Sequence, residues 1–233
     1  MPSKQVRKMD VQTDANPETK GGRSAAGQDP VKRQQILEGA KRCFLRVGFE
    51  AASMNEITVE AGVSKGTIYV YFANKEELFS ALIDQERGAM LGTAQHELDH
   101  ASSTAEALRG FGRSIATQLT CEEVVRAQRM VLAVVDRMPQ LAARFFASEP
   151  FSGISPLKAF LDRQVAAGEL AIDDTELAAQ QFSDLSMTGL FKRRLFGNMS
   201  NPPSTAEIAK RVDAAVDMFL CRYAAKPPED GAH

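Results

Sequence analysis

Apolar residues recur along this chain three and four positions apart, the spacing of an α-helix that buries one face. The pattern begins near Val31, in VKRQQILEGAKRCFLRVGF, and Gly48 is well placed to end this first helix. Strand-forming residues do not cluster, so the fold class is predicted to be all-α. The same spacing, bounded by capping residues, helix-starting prolines and helix-ending glycines, predicts further helices at 54–61, 65–72, 75–100, 104–120, 122–137, 139–148, 156–167, 173–196 and 205–224.

Two of these helices, at 54–61 and 65–72, are short and are separated by a turn around Gly62. Ser53 and Ser64 each stand where a capping residue is needed. Gly62 stands where the backbone needs a left-handed conformation. After a longer first helix, this arrangement predicts a helix-turn-helix.

The free surface of the second short helix carries small, hydroxylated and basic side chains. They belong to Lys65, Thr67, Tyr69, Val70 and Tyr71. Such side chains can reach base edges and phosphates in the major groove of DNA. Core packing is the alternative for Tyr69 and Tyr71, which are two positions apart and cannot share one helix face.

The segment ITVEAGVSKGTIYVYFANKEELF resembles the DNA-binding domain of the tetracycline-repressor (TetR) family of bacterial regulators. The similar span runs from about Val31 to Leu82 and includes the first-helix pattern RQQILEGAKRCFLRVGF, the turn AGVS and the recognition helix KGTIYVYF. Thr58 departs from the pattern, because the family usually has Ala there, and its extra hydroxyl is expected to shift the helix crossing slightly.

The resemblance implies a set of DNA contacts. Ser53, Tyr71 and Lys75 would hold phosphates, with Lys75 acting from a helix N-terminus. The residues facing base edges or the nearest backbone would be Lys65, Gly66, Thr67, Tyr69 and Val70, and Ser64 is a further predicted DNA contact. Gly66 also has a physical reason to be there, because a helix that lacks a side chain at this position can approach DNA closely.

Composition and resemblance together divide the chain. Residues 1–30 are expected to be a disordered polar leader, and 226–233 a polar tail. Between them the resemblance implies a three-helix DNA-binding domain at 31–82, with its helix-turn-helix at about 54–73. A larger helical bundle for ligand binding and dimerisation would follow at 83–225, which gives about nine to ten helices in all.

The implied partners are double-stranded DNA, a second copy of the chain and a small-molecule effector. One recognition helix reads few bases, so two copies about 34 Å apart would read a palindromic operator. The resemblance implies a homodimer formed by the helices at 173–196 and 205–224. It also implies a repressor, released when the effector moves the helix at 75–100 and changes the spacing of the recognition helices.

The effector pocket is expected among apolar side chains of the central helices, which would suit an apolar effector. The candidates are Phe111, Ile115, Met130, Val134, Phe145, Phe146 and Phe160. Each of them has ordinary core packing as its alternative. A DNA-binding protein without an effector is a further alternative for the chain as a whole.

The sequence HELDH at 96–100 matches H-E-x-x-H, the pattern of zinc hydrolases. A catalytic zinc also needs a third protein ligand, and the remaining histidine, His233, lies in the polar tail. The apolar stripe of this helix lies away from His96 and His100, which are therefore expected to face solvent. A regulator that is not an enzyme is favoured, with no cofactor and no metal. A metal-responsive regulator using this pair and a zinc hydrolase are the alternatives.

The net charge of −2 does not by itself indicate nucleic acid, but the charges are unevenly placed. Residues 1–75 hold 12 Lys and Arg against 8 Asp and Glu, whereas residues 76–233 hold 16 against 22. Three widely spaced cysteines are typical of reduced thiols in a cytoplasmic protein. No apolar run reaches the length of a membrane span, and the leader lacks the apolar core of a signal peptide. We therefore expect a cytoplasmic location.

Overall fold

The computed structural model describes residues 27–136, residue 139 and residues 154–225, and the regular structure within these ranges is helical. The predicted all-α class, with a helix-turn-helix before a larger helical bundle, is confirmed. The helices of the described part are α1 Pro30–Val47, α2 Met54–Ala61, α3 Lys65–Tyr71, α4 Lys75–Asp99, α5 Thr104–Thr120, α6 Glu122–Val134, α7 Ile154–Ala166, α8 Thr175–Ser186, α9 Phe191–Leu195 and α10 Thr205–Tyr223.

Three of the predicted segments lie wholly or mostly outside the described residues. They are the leader, apart from its last four positions, the helix at 139–148 beyond its first residue, and the tail at 226–233. Among the helices that are described, none combines the length and the apolar character that crossing a bilayer requires.

The turn between α2 and α3 follows the chemistry predicted for it. Ser53 caps α2 with a complete capping box, and Ser64 caps α3. Gly62 has φ +64° and ψ +38°, the left-handed conformation that favours glycine. The hydroxyl of Thr58 donates to the carbonyl oxygen of Met54 at 2.7 Å, so its polar group is satisfied inside α2.

Helices α1 and α2 pack closely at Gly39. A Cβ at Gly39 would lie 2.5 Å from both Cα and Cβ of Ala61, so the two helices can meet here only because the residue is glycine. Gln35 donates from Nε2 to the carbonyl oxygen of Ala61 at 2.8 Å, which satisfies a group left free at the end of α2. These contacts fix the helix-turn-helix against α1.

Two apolar clusters fill the described part of the protein, and α4 contributes to both. The N-terminal cluster joins α1–α4 around Phe44, Ile57 and Phe79, and it also takes in Val131 and Val134 of α6. The C-terminal cluster packs α5, α7, α8 and α10 against the far end of α4. The core of the DNA-binding domain is therefore continuous with two helices of the C-terminal region.

The prediction of one continuous helix at 173–196 is wrong. The structure has α8, a turn at 187–190 and the short helix α9. Gly189 has φ +72°, which a helix cannot accommodate. Arg211 of α10 donates from Nε to the carbonyl oxygen of Thr188 at 3.0 Å, and so satisfies a backbone group that the turn leaves free.

Arg194 of α9 is 1% exposed and ties three segments together. Its guanidinium donates to the carbonyl oxygens of Thr120 at 2.9 Å, Met199 at 2.8 Å and Ser200 at 2.7 Å. It also donates to the carboxylate of Glu122 at 2.7 Å. The break after α8 thus delivers a buried cation to the junction between α5 and α6.

Candidate DNA-binding surface and effector cavity

Helix α3 is anchored by one side chain and presents most of the others. Ile68 is fully buried in the N-terminal cluster. Lys65, Gly66, Tyr69 and Val70 are exposed, with exposed fractions of 46% for Tyr69 and 52% for Val70. Tyr69 therefore does not pack in the core, and these four residues form a free surface with basic, aromatic and small elements.

Several other residues that are predicted to contact DNA also make hydrogen bonds or packing contacts within the protein. Ser64 Oγ accepts from the backbone N–H of Thr67 at 3.0 Å and lies 2.7 Å from Thr67 Oγ1. Ser53 Oγ donates to the carboxylate of Glu56 at 2.9 Å. Tyr71 is half-buried against the N-terminal cluster, so core packing accounts for part of its surface. Ser53 and Ser64 remain exposed and can accept further partners.

Lys75, at the start of α4, has its ammonium group fully engaged. Its Nζ donates to the carbonyl oxygens of Phe49 at 3.1 Å, Glu50 at 3.1 Å and Ala52 at 3.2 Å. It also lies 4.8 Å from the centre of the Phe49 ring, a cation–π distance. Lys75 thus joins α4 to the segment between α1 and α2, and its implied phosphate contact stays a prediction.

Two features near α3 were missed at the level of sequence. Val59 of α2 is 82% exposed, and its position between buried Ile57 and Ala61 on a helix could have indicated this. The second feature has no local sequence signal: a Cβ at Gly27 would lie 3.2 Å from Val70 Cγ1. Gly27, three residues before α1, therefore lies against Val70 of α3.

A cavity of about 680 Å³ lies between the DNA-binding domain and the C-terminal helices. Phe44 of α1 and Phe79 of α4 line it from the N-terminal side. Met90 of α4, Met130 of α6 and Met187, just after α8, line it from the C-terminal side. Its size is in the range of small-molecule sites, and aromatic and thioether groups suit an apolar ligand.

Of the predicted pocket residues, Met130 is brought to this cavity. Four others are buried in the two clusters and are not among the described residues that line it: Phe111, Ile115, Phe160 and Val134. Core packing, the alternative interpretation of these four, matches their positions. Phe145 and Phe146 lie outside the described residues.

The cavity wall also contains polar groups that were not predicted. Gln128 Oε1 and Ser183 Oγ are buried and have no hydrogen-bond partner among the described atoms. Lys41 of α1 and Glu86 of α4 form an ion pair at 2.8 Å in the same wall. These residues are unremarkable in the sequence, because burial and pairing arise only when the helices meet.

His96 and His100 are exposed, as their position opposite the apolar stripe predicts. Their rings stack at 4.1 Å with an interplanar angle of 18°, and His100 Nδ1 lies 3.0 Å from the carbonyl oxygen of His96. Within the described ranges, no group of three or more His, Cys, Asp and Glu is arranged to hold a metal ion. This geometry gives no support to the metal-responsive or hydrolase hypothesis.

Two family models match the chain and between them cover most of the described residues. Residues 36–82 match bacterial regulatory proteins of the tetR family, and residues 106–225 match the C-terminal domain of AefR-like transcriptional repressors. The chain is also 38% identical over 88 residues to the HTH-type transcriptional repressor AcnR of Corynebacterium efficiens, which covers 37% of this chain. That match spans 44% of AcnR, less than half of its length.

Solved structures extend the similarity to both domains. A TetR-family transcriptional regulator from Mesorhizobium loti is 27% identical, with a TM-score of 0.75 over 83% of this chain and 97% of its own. The flavonoid-responsive regulator FrrA is 31% identical, with a TM-score of 0.70 over 85% of this chain and 100% of its own. The helix-turn-helix and the helical bundle therefore occur together in similar proteins.

Proposed function

The chain belongs to the TetR family of bacterial regulatory proteins and is a transcriptional regulator, and on that premise we propose that it is a homodimeric repressor of a palindromic operator. In this proposal an effector enters the cavity and releases the protein from DNA. The protein works in the cytoplasm, where it can reach the chromosome.

The observation that carries the proposal is the free surface of α3. A fully buried Ile68 holds the helix on the core, while Lys65, Tyr69 and Val70 stay exposed on a short helix whose first turn has no acidic residue. A cation, a phenol and a small apolar side chain are suited to phosphates, base edges and thymine methyl groups.

The position of the cavity supports control by an effector. Because Phe44 lines it from α1 and Met130 from α6, one ligand can touch the DNA-binding domain and the C-terminal region at once. A ligand shifts a conformational equilibrium only through different contacts in the two states, and contact with both bodies provides this. FrrA, a similar protein, is flavonoid-responsive by name, and mainly apolar aromatic compounds suit the walls described here.

Exposed apolar side chains on α8 and α10 support dimerisation through these helices. Leu177 of α8 is 48% exposed and Met218 of α10 is 60% exposed. The two helices pack on each other through Phe182 and Phe219, whose ring centres are 5.3 Å apart. Burying such a surface against its own copy would give the symmetric contact of a homodimer.

The test is a selection of bound DNA from a random oligonucleotide pool, followed by sequencing. We expect a palindrome with half-sites about one helical turn apart. Val70→Ala should change the preferred bases, whereas Leu132→Ala, with a similarly exposed apolar residue on α6, should leave them unchanged.

Three results would contradict the proposal. One is the absence of any enriched sequence, and another is an enriched sequence without two-fold symmetry. The third is an equal effect of Val70→Ala and Leu132→Ala on base preference, which would move the reading surface away from α3.

A further inference from the structure

The cavity wall contains two buried oxygen atoms that the fold itself does not use. Ser183 is 7% exposed, and neither its Oγ nor Gln128 Oε1 has a hydrogen-bond partner among the described atoms. Nearly all buried polar atoms in folded proteins are paired, because an unpaired one costs free energy. Two exceptions in one cavity wall indicate groups that are paired when the cavity is occupied.

The chemistry of these atoms specifies what an occupant must bring. An amide oxygen such as Gln128 Oε1 only accepts hydrogen bonds, so it requires an O–H or N–H donor. A hydroxyl such as Ser183 Oγ can both donate and accept. A hydroxyl group on the ligand satisfies either of them.

The charges of the wall specify what an occupant must lack. Lys41 is the one cation among the described lining residues, and the carboxylate of Glu86 holds it at 2.8 Å. The other charged lining residues are Glu123 and Asp184, both acidic. A carboxylate ligand would meet two like charges and would have to compete with Glu86 for Lys41, so the wall disfavours anions.

We infer that the effector is an uncharged, mainly apolar molecule with at least one hydroxyl group, which donates to Gln128 Oε1 and pairs with Ser183 Oγ. The inference rests on the proposed function, because it treats the cavity as the effector site. Apolar walls that include Phe44, Phe79 and Met130 supply most of the contact surface, and the two oxygens supply the selectivity.

Three small probes of one shape separate the possible ligand classes. 4-Hexylphenol has a neutral donor, 4-hexylanisole replaces that donor by a methyl ether, and 4-hexylbenzoate is an anion. We expect the phenol to bind about tenfold more tightly than the ether, the worth of one hydrogen bond, and the benzoate to bind most weakly. Isothermal titration calorimetry is the appropriate measurement, because the chain has no tryptophan to report binding.

Two variants then test which side chains cause the preference for the phenol over the ether. Gln128→Leu should bring the phenol-to-ether ratio to about one, and Ser183→Ala should reduce it. Gln118→Leu is the matched control, since Gln118 lines the same cavity but its Nε2 already donates to Ser114 Oγ at 2.9 Å. Gln128→Leu and Ser183→Ala each remove a buried oxygen that has no partner among the described atoms, so their thermal midpoints should equal or exceed that of the parent protein.

The inference is overturned if phenol and ether bind equally, if the benzoate binds best, or if Gln128→Leu keeps the preference. Binding to the selected operator is measured separately. If the protein binds the operator but does not prefer the phenol, the inference about the ligand is wrong and the repressor proposal is unaffected. If it prefers the phenol but does not bind an operator, the ligand site is supported and the proposed function is wrong.

Discussion

Arg194 donates from Nη2 to Glu122 Oε2 at 2.7 Å and so joins α9 to the first turn of α6. The two partners differ in exposure, since the side chain of Arg194 is 1% exposed and that of Glu122 is 47% exposed. The cation is therefore desolvated while its counter-charge still touches water. Three backbone carbonyl oxygens supply the remaining acceptors, which makes Arg194 a link between α5, α6, α9 and the segment at 199–200.

Arg194→Lys should destabilise the protein by about 2–3 kcal/mol, because buried carbonyl groups lose their donors. A lysine has three donors on one atom and cannot reproduce the fork of a guanidinium. Urea unfolding measures the change. Arg193→Lys, at the neighbouring exposed position, is the control and should change stability by less than about 0.5 kcal/mol. Equal effects of the two changes would show that the buried fork is not what matters.

Glu122 should make stability depend on pH. Hydrogen bonds from Arg194 first, and from Arg126 second, lower the pKa of Glu122 below its ordinary value. A lowered pKa in the folded state stabilises the protein above the unfolded pKa, and this contribution is lost as the pH falls through the folded pKa. The stability difference between the parent and Glu122→Gln should therefore be largest near about pH 7 and shrink towards about pH 3.

Urea unfolding at several pH values measures that difference. Repeating the comparison in the Arg194→Lys background supplies the second arm of a cycle. The pH dependence of the Glu122→Gln effect should be weaker there, because the main cause of the lowered pKa has been removed. If the pH dependence of the Glu122→Gln effect is as strong in this background as in the parent, a residue other than Arg194 lowers the pKa of Glu122.

Gly39→Ala should destabilise the DNA-binding domain by about 2 kcal/mol, because its Cβ would lie 2.5 Å from backbone and side-chain atoms of Ala61. Backbone cannot yield as a flexible side chain can, so α1 and α2 must separate. Gly92→Ala is the control, since a Cβ at that position in α4 would meet no atom within 4 Å beyond its own helix backbone. It should raise stability by about 0.5–1 kcal/mol through helix propensity. Thermal unfolding distinguishes the two signs, and a gain in both variants would refute the close-packing argument.

Lys65 and Lys75 should behave differently although both are predicted to contact DNA. Lys65→Ala should lower the salt dependence of DNA binding by about one unit of slope and leave the thermal midpoint unchanged. Lys75→Ala should lower both the slope and the thermal midpoint, because Lys75 also donates to three carbonyl oxygens. Lys210→Ala, an exposed lysine on α10, is the control. An unchanged midpoint in Lys75→Ala would refute its structural role, and an unchanged slope would refute its phosphate contact.

The helix-turn-helix could be predicted from sequence because its determinants are local. A cap such as Ser53 acts on a backbone group three residues away, and Gly62 needs only its own conformation. The break after α8 could not be predicted, because the four-residue spacing of buried positions continues across it. Phe182, Ser186, Leu190 and Arg194 are all buried at intervals of four, so a helical pattern persists where the helix has ended.

The cavity was harder to predict for a related reason. Selection by apolar character finds core positions such as Phe111 and Phe160, which pack on other side chains. Residues that line the cavity are those whose side chains face a gap between helices. The position of that gap depends on how the helices meet. The unpaired atoms of Gln128 and Ser183 have no counterpart in a sequence pattern.

The contact between Gly27 and Val70 has a consequence for residues 1–26. In the sequence these residues include five Lys and Arg against three Asp and Glu, and they directly precede Gly27, which lies against Val70 of α3. If α3 holds an operator as proposed, those cations would belong to the same chain as the helix that reads it. Their effective concentration at that operator would then be set by the length of the connecting chain and not by the amount of protein in the cell.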